Sequence, residues 1–156
     1  MNILFVCLGN ICRSPTAEAV MRGLVADAGL DGEILIESAG TGDWHIGEPP
    51  DRRSVAAAAE RGVELGGSSR QVTAADFERF DALIAMDAFN RDDLLAMAPD
   101  AAAEPRVRML REFGDGGELD VPDPYGGGAD GFAEVVEIVE RNCSALLEEL
   151  RAGRLT

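Results

Sequence analysis

NILFVCLGNICRSP, residues 2–15, begins with a short apolar run and continues into a loop with two cysteines, a glycine, an asparagine and an arginine. The apolar run 2–6 is typical of a buried strand. Pro15 suits the first turn of a helix. A socket for a phosphate dianion, with a nucleophile at its base, can form where a strand is followed in order by a thiol, a glycine-bearing loop, an arginine and the start of a helix. The sequence therefore predicts a phosphate-binding loop directly after the first strand.

Cys7 is the candidate nucleophile of this loop. A free thiol has a pKa of about 8.5 and needs its thiolate stabilised to react at neutral pH. Backbone amides of a tight loop and a helix N-terminus can stabilise it, and Gly9 and Asn10 tolerate the unusual φ values that such a loop requires. Arg13 can hold two phosphate oxygens with its planar guanidinium. Ser14 either caps the following helix or hydrogen-bonds the thiolate, and the sequence leaves both roles open.

A second candidate group, Asp123, lies between Pro122 and Pro124 in a glycine-rich stretch. The prolines stiffen the backbone around the carboxyl group. Hydrolysis of a phosphate ester needs a proton for the departing oxygen and then a base to activate water, and one carboxyl group can do both in turn. The alternative for an Asp-Pro pair is ordinary turn chemistry. Because the thiol loop is present, we favour the chemical role.

At this point the chain resembles the low-molecular-weight protein tyrosine phosphatases, whose loop reads Cys, any residue, Gly, Asn, any residue, Cys, Arg, Ser. Every fixed position of that pattern is present. Further matching stretches lie in the family's order across nearly the whole chain: 36–41, 46–47 with 49–51, 70–73, 86–87 and 121–125. The resemblance implies one domain, 1–156, with an α/β fold: an open sheet of four parallel strands with helices on both faces.

The resemblance also implies roles for individual residues. Cys7 attacks phosphorus, Arg13 holds the oxygens, and Asp123 acts as acid and then base. The phosphate is bound by loop residues, namely Leu8, Gly9, Asn10, Ile11, Cys12 and Ser14. Ser38 and Asn10 hydrogen-bond to hold the loop in shape. Many relatives add a histidine to this network, whereas residues 66–70 here read Gly-Gly-Ser-Ser-Arg. Either the network is shorter, or Ser68 or Ser69 substitutes.

Trp44 and Tyr125 are the only tryptophan and the only tyrosine of the chain. The resemblance places both at the rim of the phosphate socket. Two aromatic walls around a deep site favour a flat phenyl ester over the shorter phosphoserine. The alternative for each is an ordinary packed aromatic. We expect the sole histidine, His45, to be a surface loop residue and not a catalyst.

Cys12 has two interpretations, a small buried residue or a redox partner of Cys7. If an oxidant converts Cys7 to a sulfenic acid, a nearby thiol can form a disulfide before irreversible oxidation occurs. The resemblance supports that role, so we predict a Cys7–Cys12 disulfide after mild peroxide treatment. Cys143 falls in a helical pattern, and we expect it to serve packing alone.

Composition limits the remaining choices. The chain has 156 residues, of which 46% are hydrophobic, which suits a single domain with a real core. A formal net charge of −15 argues against nucleic acid or an anionic membrane as a partner. One histidine and three cysteines form no zinc pattern, so we expect neither a metal nor a cofactor. Without a signal or membrane segment, and with a thiolate to keep reduced, we expect a cytoplasmic monomer.

Apolar strands alternate with helical patterns along the chain, which is typical of a parallel sheet with crossover helices. Strands are predicted at 2–6, 34–36, 81–86 and 107–110. Helices are predicted at 15–28, 52–61, 73–80, 90–97 and 132–150. Thr73 is the expected N-cap of the third helix, with Asp76 at the capping-box position. The irregular stretch 114–131 contains Asp123, and long loops in compact domains are often functional.

We expect a phosphatase acting on phosphotyrosine proteins or small aryl phosphates, and three other functions compete with it. A protein arginine phosphatase of the same superfamily commonly has threonine at the position of Ile11, so Ile11 favours the tyrosine type. An arsenate reductase on this scaffold needs two further cysteines on a mobile segment, and the lone Cys143 does not supply them. A non-catalytic phosphate-binding module would typically have lost Cys7 or Asp123, and both are present.

Overall fold

The computed structural model describes residues 1–115 and 117–155. This part of the chain has four strands: β1 (Asn2–Cys7), β2 (Leu35–Gly40), β3 (Ala82–Ala85) and β4 (Val107–Met109). It has five α-helices: α1 (Arg13–Asp27), α2 (Arg52–Ala59), α3 (Asp76–Arg79), α4 (Ala88–Met97) and α5 (Ala129–Arg151). Two single 3₁₀ turns, Glu104–Arg106 and Leu110–Glu112, flank β4.

The four strands form one parallel sheet in the order β2-β1-β3-β4. This confirms the predicted α/β fold with four parallel strands. β1 lies in the interior of the sheet, and Ile3 through Val6 are fully buried, which is why the strand reads as a continuous apolar run. Its last residue, Cys7, pairs with Gly40 at the end of β2.

Alternate residues of β1 contribute to the two faces of the sheet. Ile3 and Phe5 belong to the hydrophobic cluster that includes residues of α1 and α5. Leu4 and Val6 belong to a second cluster, with Phe77 of α3 and Leu94 of α4. Helices therefore cover both faces, as predicted, and α2 packs on the outside against α5.

All five helices differ from their predicted bounds by one to three residues at one or both ends, and two of these differences have a clear physical cause. α1 begins at Arg13 and not at Pro15, because the loop after β1 turns directly into the helix. The predicted helix 73–80 is reduced to Asp76–Arg79, and Thr73 is not its N-cap. Asp76 does accept the backbone N–H of Thr73 at 2.8 Å, but both of its carboxylate oxygens also bind Arg70 at 3.0 Å. Asp76 thus keeps its predicted contact with Thr73 and also pairs with Arg70, while residues 74–75 form a turn ahead of the helix.

The strand order places a crevice at the carboxyl end of β1. The chain connects β1 to β2 on one side, whereas β3 and β4 lie on the other. Open parallel sheets bind ligands at such a switch point, just beyond the carboxyl ends of the strands. The fold therefore brings the loop after β1 to the position where a ligand site is expected.

Candidate active site

The loop of residues 7–13, here named the phosphate loop, is mostly buried although it makes a tight turn, and Leu8 is its exposed member. Cys7, Asn10 and Arg13 are 2%, 4% and 3% exposed. Asn10 has a φ of 56°, a left-handed conformation that asparagine tolerates. The expectation that Gly9 shares an unusual φ is wrong. At this position a Cβ would lie 3.0 Å from Cδ2 of His45, so a larger residue would press on the His45 ring.

Hydrogen-bond donors surround the thiol of Cys7. Its Sγ lies 3.0 Å from Oγ of Ser14 and accepts the backbone N–H of Asn10 at 3.3 Å. Further backbone N–H groups of the loop donate to no acceptor within residues 1–115 and 117–155, among them those of Leu8, Gly9, Ile11 and Cys12. Unpaired amides in a tight loop before a helix N-terminus form an anion-binding nest.

Ser14 contacts the thiol, and its side chain does not cap α1. Nδ2 of Asn10 donates to Oγ of Ser14 at 2.8 Å and to Oγ of Ser38 at 3.0 Å. Ser14 accepts from Asn10, and its single hydroxyl hydrogen lies within reach of both the Cys7 sulfur at 3.0 Å and the carbonyl oxygen of Ala39 at 3.3 Å. Ser38 in turn donates to the carboxylate of Glu18. The backbone N–H of Arg70 donates to Oδ1 of Asn10 at 3.0 Å, so the whole amide group is held.

The stretch without the family's histidine still supports the loop. Of the two serines proposed as substitutes, Ser69 makes the contact: its Oγ donates to the carbonyl oxygen of Gly9 at 3.0 Å. The hydroxyl of Ser38 ends on Glu18. The loop is therefore held from behind by one serine at its backbone and by a serine–carboxylate pair at Asn10.

Arg13 enters the site from the first turn of α1. Its Nη1 binds Oδ2 of Asp87 at 2.6 Å and the carbonyl oxygen of Val121 at 3.0 Å. Its Nη2 lies 3.7 Å from Oδ2 of Asp123. Burial lowers the pKa of Arg13, but the nearby Cys7 and the Asp87 carboxylate outweigh it and raise that pKa above its ordinary value. Arg13 is thus a fixed, permanently charged group beside the thiol.

The second loop, residues 121–128, is named the acid loop. The side chain of Asp123 is 47% exposed. Its Oδ1 accepts the backbone N–H of Tyr125 at 3.1 Å, which is the turn chemistry considered for an Asp-Pro pair. Its Oδ2 is the atom that faces Arg13. One carboxyl group thus shapes the turn with one oxygen and presents the other to the site.

A cavity of about 230 Å³ lies between the two loops. Its lining residues are Cys7, Leu8, Gly9, Ile11, Cys12, Arg13, Trp44, His45, Asp123 and Tyr125. Trp44 and Tyr125 are 69% and 50% exposed, so both are rim residues and not packed core aromatics. The Trp44 ring lies over Gly42, where a Cβ would be 2.0 Å from Cζ3. Most of the predicted site residues therefore meet at one cavity.

The other predicted site residues support the phosphate loop from within it or from behind it. Asn10, Ser14 and Ser38 hold the loop by hydrogen bonds and do not line the cavity. His45, expected in a surface loop, has a partly exposed side chain there and also lines the cavity. Its ring binds Glu48 and lies 6.0 Å from the Tyr125 ring, measured between centroids.

Two residues of the site had no assigned role in the sequence analysis. Asp87 appeared there only as a family match, yet it forms the shortest contact of Arg13. Asp87 follows Met86 at the end of β3. Because the carboxyl ends of neighbouring parallel strands lie at the same edge of the sheet, this position in the sequence indicated a place near the phosphate loop. Gly40 leaves space for the phosphate loop, since a Cβ there would lie 2.6 Å from the carbonyl oxygen of Leu8.

The three cysteines are all free and buried. Burial raises the pKa of the Cys12 thiol to about 11, and Asp51 adds to the rise, although a hydrogen bond with Ser54 opposes it. Burial also raises the pKa of Cys143, whose side chain is inaccessible in the core. Cys12 is therefore a neutral thiol at physiological pH, and Cys143 is a packing residue.

This fold and site fit a cysteine-dependent phosphatase: a thiol at the carboxyl end of a central parallel strand, a nest of amides, an arginine, and a carboxyl group across the cavity. Residues 2–155 match the family model for low molecular weight phosphotyrosine protein phosphatase. The chain is 47% identical over 153 residues to a low molecular weight protein-tyrosine-phosphatase of Streptomyces coelicolor, covering 96% of this chain and 93% of the relative.

Other relatives agree. The chain is 37% identical over 149 residues to the human low molecular weight phosphotyrosine protein phosphatase, covering 95% of this chain and 94% of the relative. A crystal structure of a protein tyrosine phosphatase from Entamoeba histolytica, with Hepes in its active site, superposes with a TM-score of 0.95 at 39% identity, covering 99% of each chain. The chain belongs to the low molecular weight phosphotyrosine protein phosphatase family.

Proposed function

We propose that this chain hydrolyses phosphotyrosine monoesters and aryl phosphates through a cysteinyl-phosphate intermediate. The observation that carries the proposal is the position of the Cys7 sulfur, in contact with Ser14 and the amide of Asn10, at a cavity that Arg13 and Asp123 also line. Nucleophile, anion nest and proton donor are the three groups that such a two-step reaction needs.

In the first step the Cys7 thiolate attacks phosphorus. A sulfur–phosphorus bond forms as the bond between phosphorus and the phenolic oxygen breaks. Asp123 gives its proton to that departing oxygen. The guanidinium of Arg13 and the unpaired loop amides hold the three other oxygens of the phosphoryl group, where negative charge is spread in the transition state.

In the second step water replaces the thiol. Asp123, now a carboxylate, accepts a proton from a water molecule, whose oxygen attacks phosphorus as the sulfur–phosphorus bond breaks. Inorganic phosphate leaves, and the thiolate and the protonated carboxyl group are restored. Because one step needs a thiolate and a protonated acid together, we expect a bell-shaped dependence of kcat/KM on pH.

The cavity walls support an aryl substrate. At about 230 Å³ the cavity is smaller than the roughly 300–1,000 Å³ clefts that hold drug-sized ligands, and it suits a single ring with a phosphate. Trp44 and Tyr125 offer apolar faces at the rim for that ring. Phosphotyrosine reaches from such a rim to the sulfur, whereas phosphoserine is shorter.

The finer biological setting is also proposed. None of the described helices is long and apolar enough to cross a membrane. We assign the protein to the cytoplasm because a working thiolate needs a reducing compartment. We assign it a monomeric state, with phosphotyrosine proteins as partners and no nucleic acid. A thiol-dependent reductase has less support, since Cys143 is buried in α5 with its Sγ 3.9 Å from the carbonyl oxygen of Ala17.

The test is phosphate release from two peptides of one sequence, one with phosphotyrosine and one with phosphoarginine. Wild type, Cys7→Ser and the matched control Cys143→Ser are compared, with thermal melting as a check on folding. We expect wild type and the control to hydrolyse the tyrosyl peptide, and Cys7→Ser to lose more than about 10⁴-fold of that activity. Preference for phosphoarginine, or no turnover by wild type, would contradict the proposal.

A further inference from the structure

Arg53, in the first turn of α2, connects the two loops of the site. Its guanidinium forms a two-pronged ion pair with Asp51, with Nε 3.1 Å from Oδ1 and Nη2 3.0 Å from Oδ2. Asp51 also accepts the backbone N–H of Arg53 at 2.8 Å. The backbone N–H of Asp51 donates to the carbonyl oxygen of Ile11 at 2.8 Å. On this side, Arg53 is therefore connected to the phosphate loop through the hydrogen bonds of Asp51.

On its other side the guanidinium contacts the acid loop and α5. Its Cζ lies 5.4 Å from the centroid of the Tyr125 ring and 4.5 Å from that of Phe132, both within the range of a cation–π interaction. Nη1 donates to the carbonyl oxygen of Gly127 at 3.4 Å. Phe132 itself packs against Ile11. Arg53 therefore contacts the acid loop and a ring that packs on the phosphate loop.

The acid loop has few other connections. Among residues 1–115 and 117–155, two side chains from outside the loop make polar contacts with it beyond Val121: Arg13 at Asp123, and Arg53 at Gly127. The remaining bonds are local, such as that from the backbone N–H of Tyr125 to Asp123. Arg53 is thus the side chain from outside the loop that makes a polar contact with its distal half.

We propose that Arg53 is a positioning residue, which holds the acid loop so that Asp123 reaches the leaving-group oxygen and Tyr125 stays at the rim. The inference rests on the proposed function. Arg53 is not a candidate phosphate ligand, because its Nε and Nη2 already bind the Asp51 carboxylate. The ion pair lowers the pKa of Asp51, so both groups remain charged at the pH of catalysis.

The consequence is a dependence on the leaving group. A phenolate as basic as tyrosine, with a pKa of about 10, needs the proton of Asp123, whereas the much less basic p-nitrophenolate departs without full protonation. Displacement of the acid loop therefore slows the phenyl ester more than the nitrophenyl ester. The parameter kcat/KM reports the chemistry up to formation of the phosphoenzyme. It therefore separates this step from the later hydrolysis.

The experiment compares kcat/KM for phenyl phosphate and p-nitrophenyl phosphate in wild type, Arg53→Met, Arg53→Lys and Arg52→Met. Arg52 is the matched control, an exposed arginine in the same helical turn. For Arg53→Met we expect the phenyl ester to lose at least about tenfold more than the nitrophenyl ester. The measured ratio is kcat/KM for the nitrophenyl ester divided by kcat/KM for the phenyl ester. Arg53→Lys keeps the positive charge but loses the planar bidentate geometry, so we expect a smaller rise in that ratio. Arg52→Met should leave the ratio unchanged.

Each outcome decides between the two claims. Equal losses on both esters in Arg53→Met, or an equal change of the ratio in Arg52→Met, would overturn the positioning role. If Arg53→Met melts below the assay temperature, Arg53→Lys decides the question. A ratio of the two esters above that of wild type supports the positioning role, and an unchanged ratio overturns it. Failure of the wild type to hydrolyse either ester would instead overturn the proposed function, and with it the inference.

Discussion

The phosphate loop and the acid loop face one cavity and are held in different ways. The phosphate loop is buried, and hydrogen bonds from Asn10, Ser69 and Arg70 fix its shape before any ligand arrives. The acid loop is mostly exposed, and side-chain contacts from Arg13 and Arg53 connect it to the rest of the site.

In the mechanism proposed above, this difference separates two contributions to catalysis. Binding of the phosphoryl group, common to every substrate, depends on donors that are preorganised in a buried loop. Protonation of the leaving group, which differs between substrates, depends on a loop with few anchors. Changes in the first region should therefore affect all esters alike, and changes in the second should depend on the leaving group.

The largest expected effect tests the acid loop directly. In Asp123→Asn the amide oxygen can still accept the backbone N–H of Tyr125, so the turn is retained while the transferable proton is lost. We expect kcat/KM for phenyl phosphate to fall by about 10²–10⁴-fold, and that for p-nitrophenyl phosphate by much less. Steady-state kinetics on both esters measures this. Asp130→Asn, an exposed aspartate in the first turn of α5, is the control. Equal losses on both esters would remove Asp123 from the acid role.

The phosphate loop is tested from behind, at Gly40. A Cβ there would lie 2.6 Å from the carbonyl oxygen of Leu8 and 3.1 Å from the backbone nitrogen of Asn10. Backbone atoms cannot swing aside as a side chain can, so Gly40→Ala has to displace the loop. A misplacement of about 1 Å costs about 100-fold in rate. We expect a loss of that order in kcat/KM, the same for phenyl, nitrophenyl and alkyl phosphates.

Gly42→Ala is the matched control for that substitution. Its Cβ would meet the ring of Trp44, an exposed side chain that can rotate away. We expect KM to rise for aryl phosphates, with alkyl phosphates unaffected. If Gly40→Ala also discriminated between aryl and alkyl esters, the two regions would not be separable in the way their burial indicates.

The sequence predicted most of the buried region and less of the exposed one. All four strands were located, because apolar runs between glycines and polar turns are local signals. The phosphate loop was predicted because its thiol, glycine, asparagine and arginine lie within seven consecutive residues. Burial of that loop follows from its position after a central strand.

Contacts between distant residues could not be predicted in the same way. Arg13 and Asp87 are 74 positions apart; each follows a strand, which indicates the same edge of the sheet, but no local pattern indicates that the two side chains pair. Arg53 reaches Gly127 over the same separation of 74 residues. Tertiary ion pairs decide these features, and local patterns do not contain them.

The smallest effect concerns two thiols within the phosphate loop itself. The Cys7 sulfur has hydrogen-bond donors around it, whereas Cys12 packs against Ile11 and Phe132. With a thiol pKa of about 11, about one Cys12 in 10⁴ is ionised at pH 7. Peroxide should therefore oxidise Cys7 first, giving a sulfenic acid that Cys12 attacks with loss of water to form the disulfide.

Disulfide closure should then accelerate about tenfold per pH unit between pH 7 and 9, because the thiolate of Cys12 is the attacking species and its fraction rises tenfold per unit below its pKa. Mass spectrometry of samples alkylated at successive times after one equivalent of peroxide measures that rate, and Cys143→Ser excludes the third thiol. A rate of disulfide formation that does not change across this pH range would show that ionisation of the Cys12 thiol does not limit the reaction. Accumulation of Cys7 as sulfinic acid at every pH would show that burial has left Cys12 a packing residue, inert even beside an oxidised neighbour.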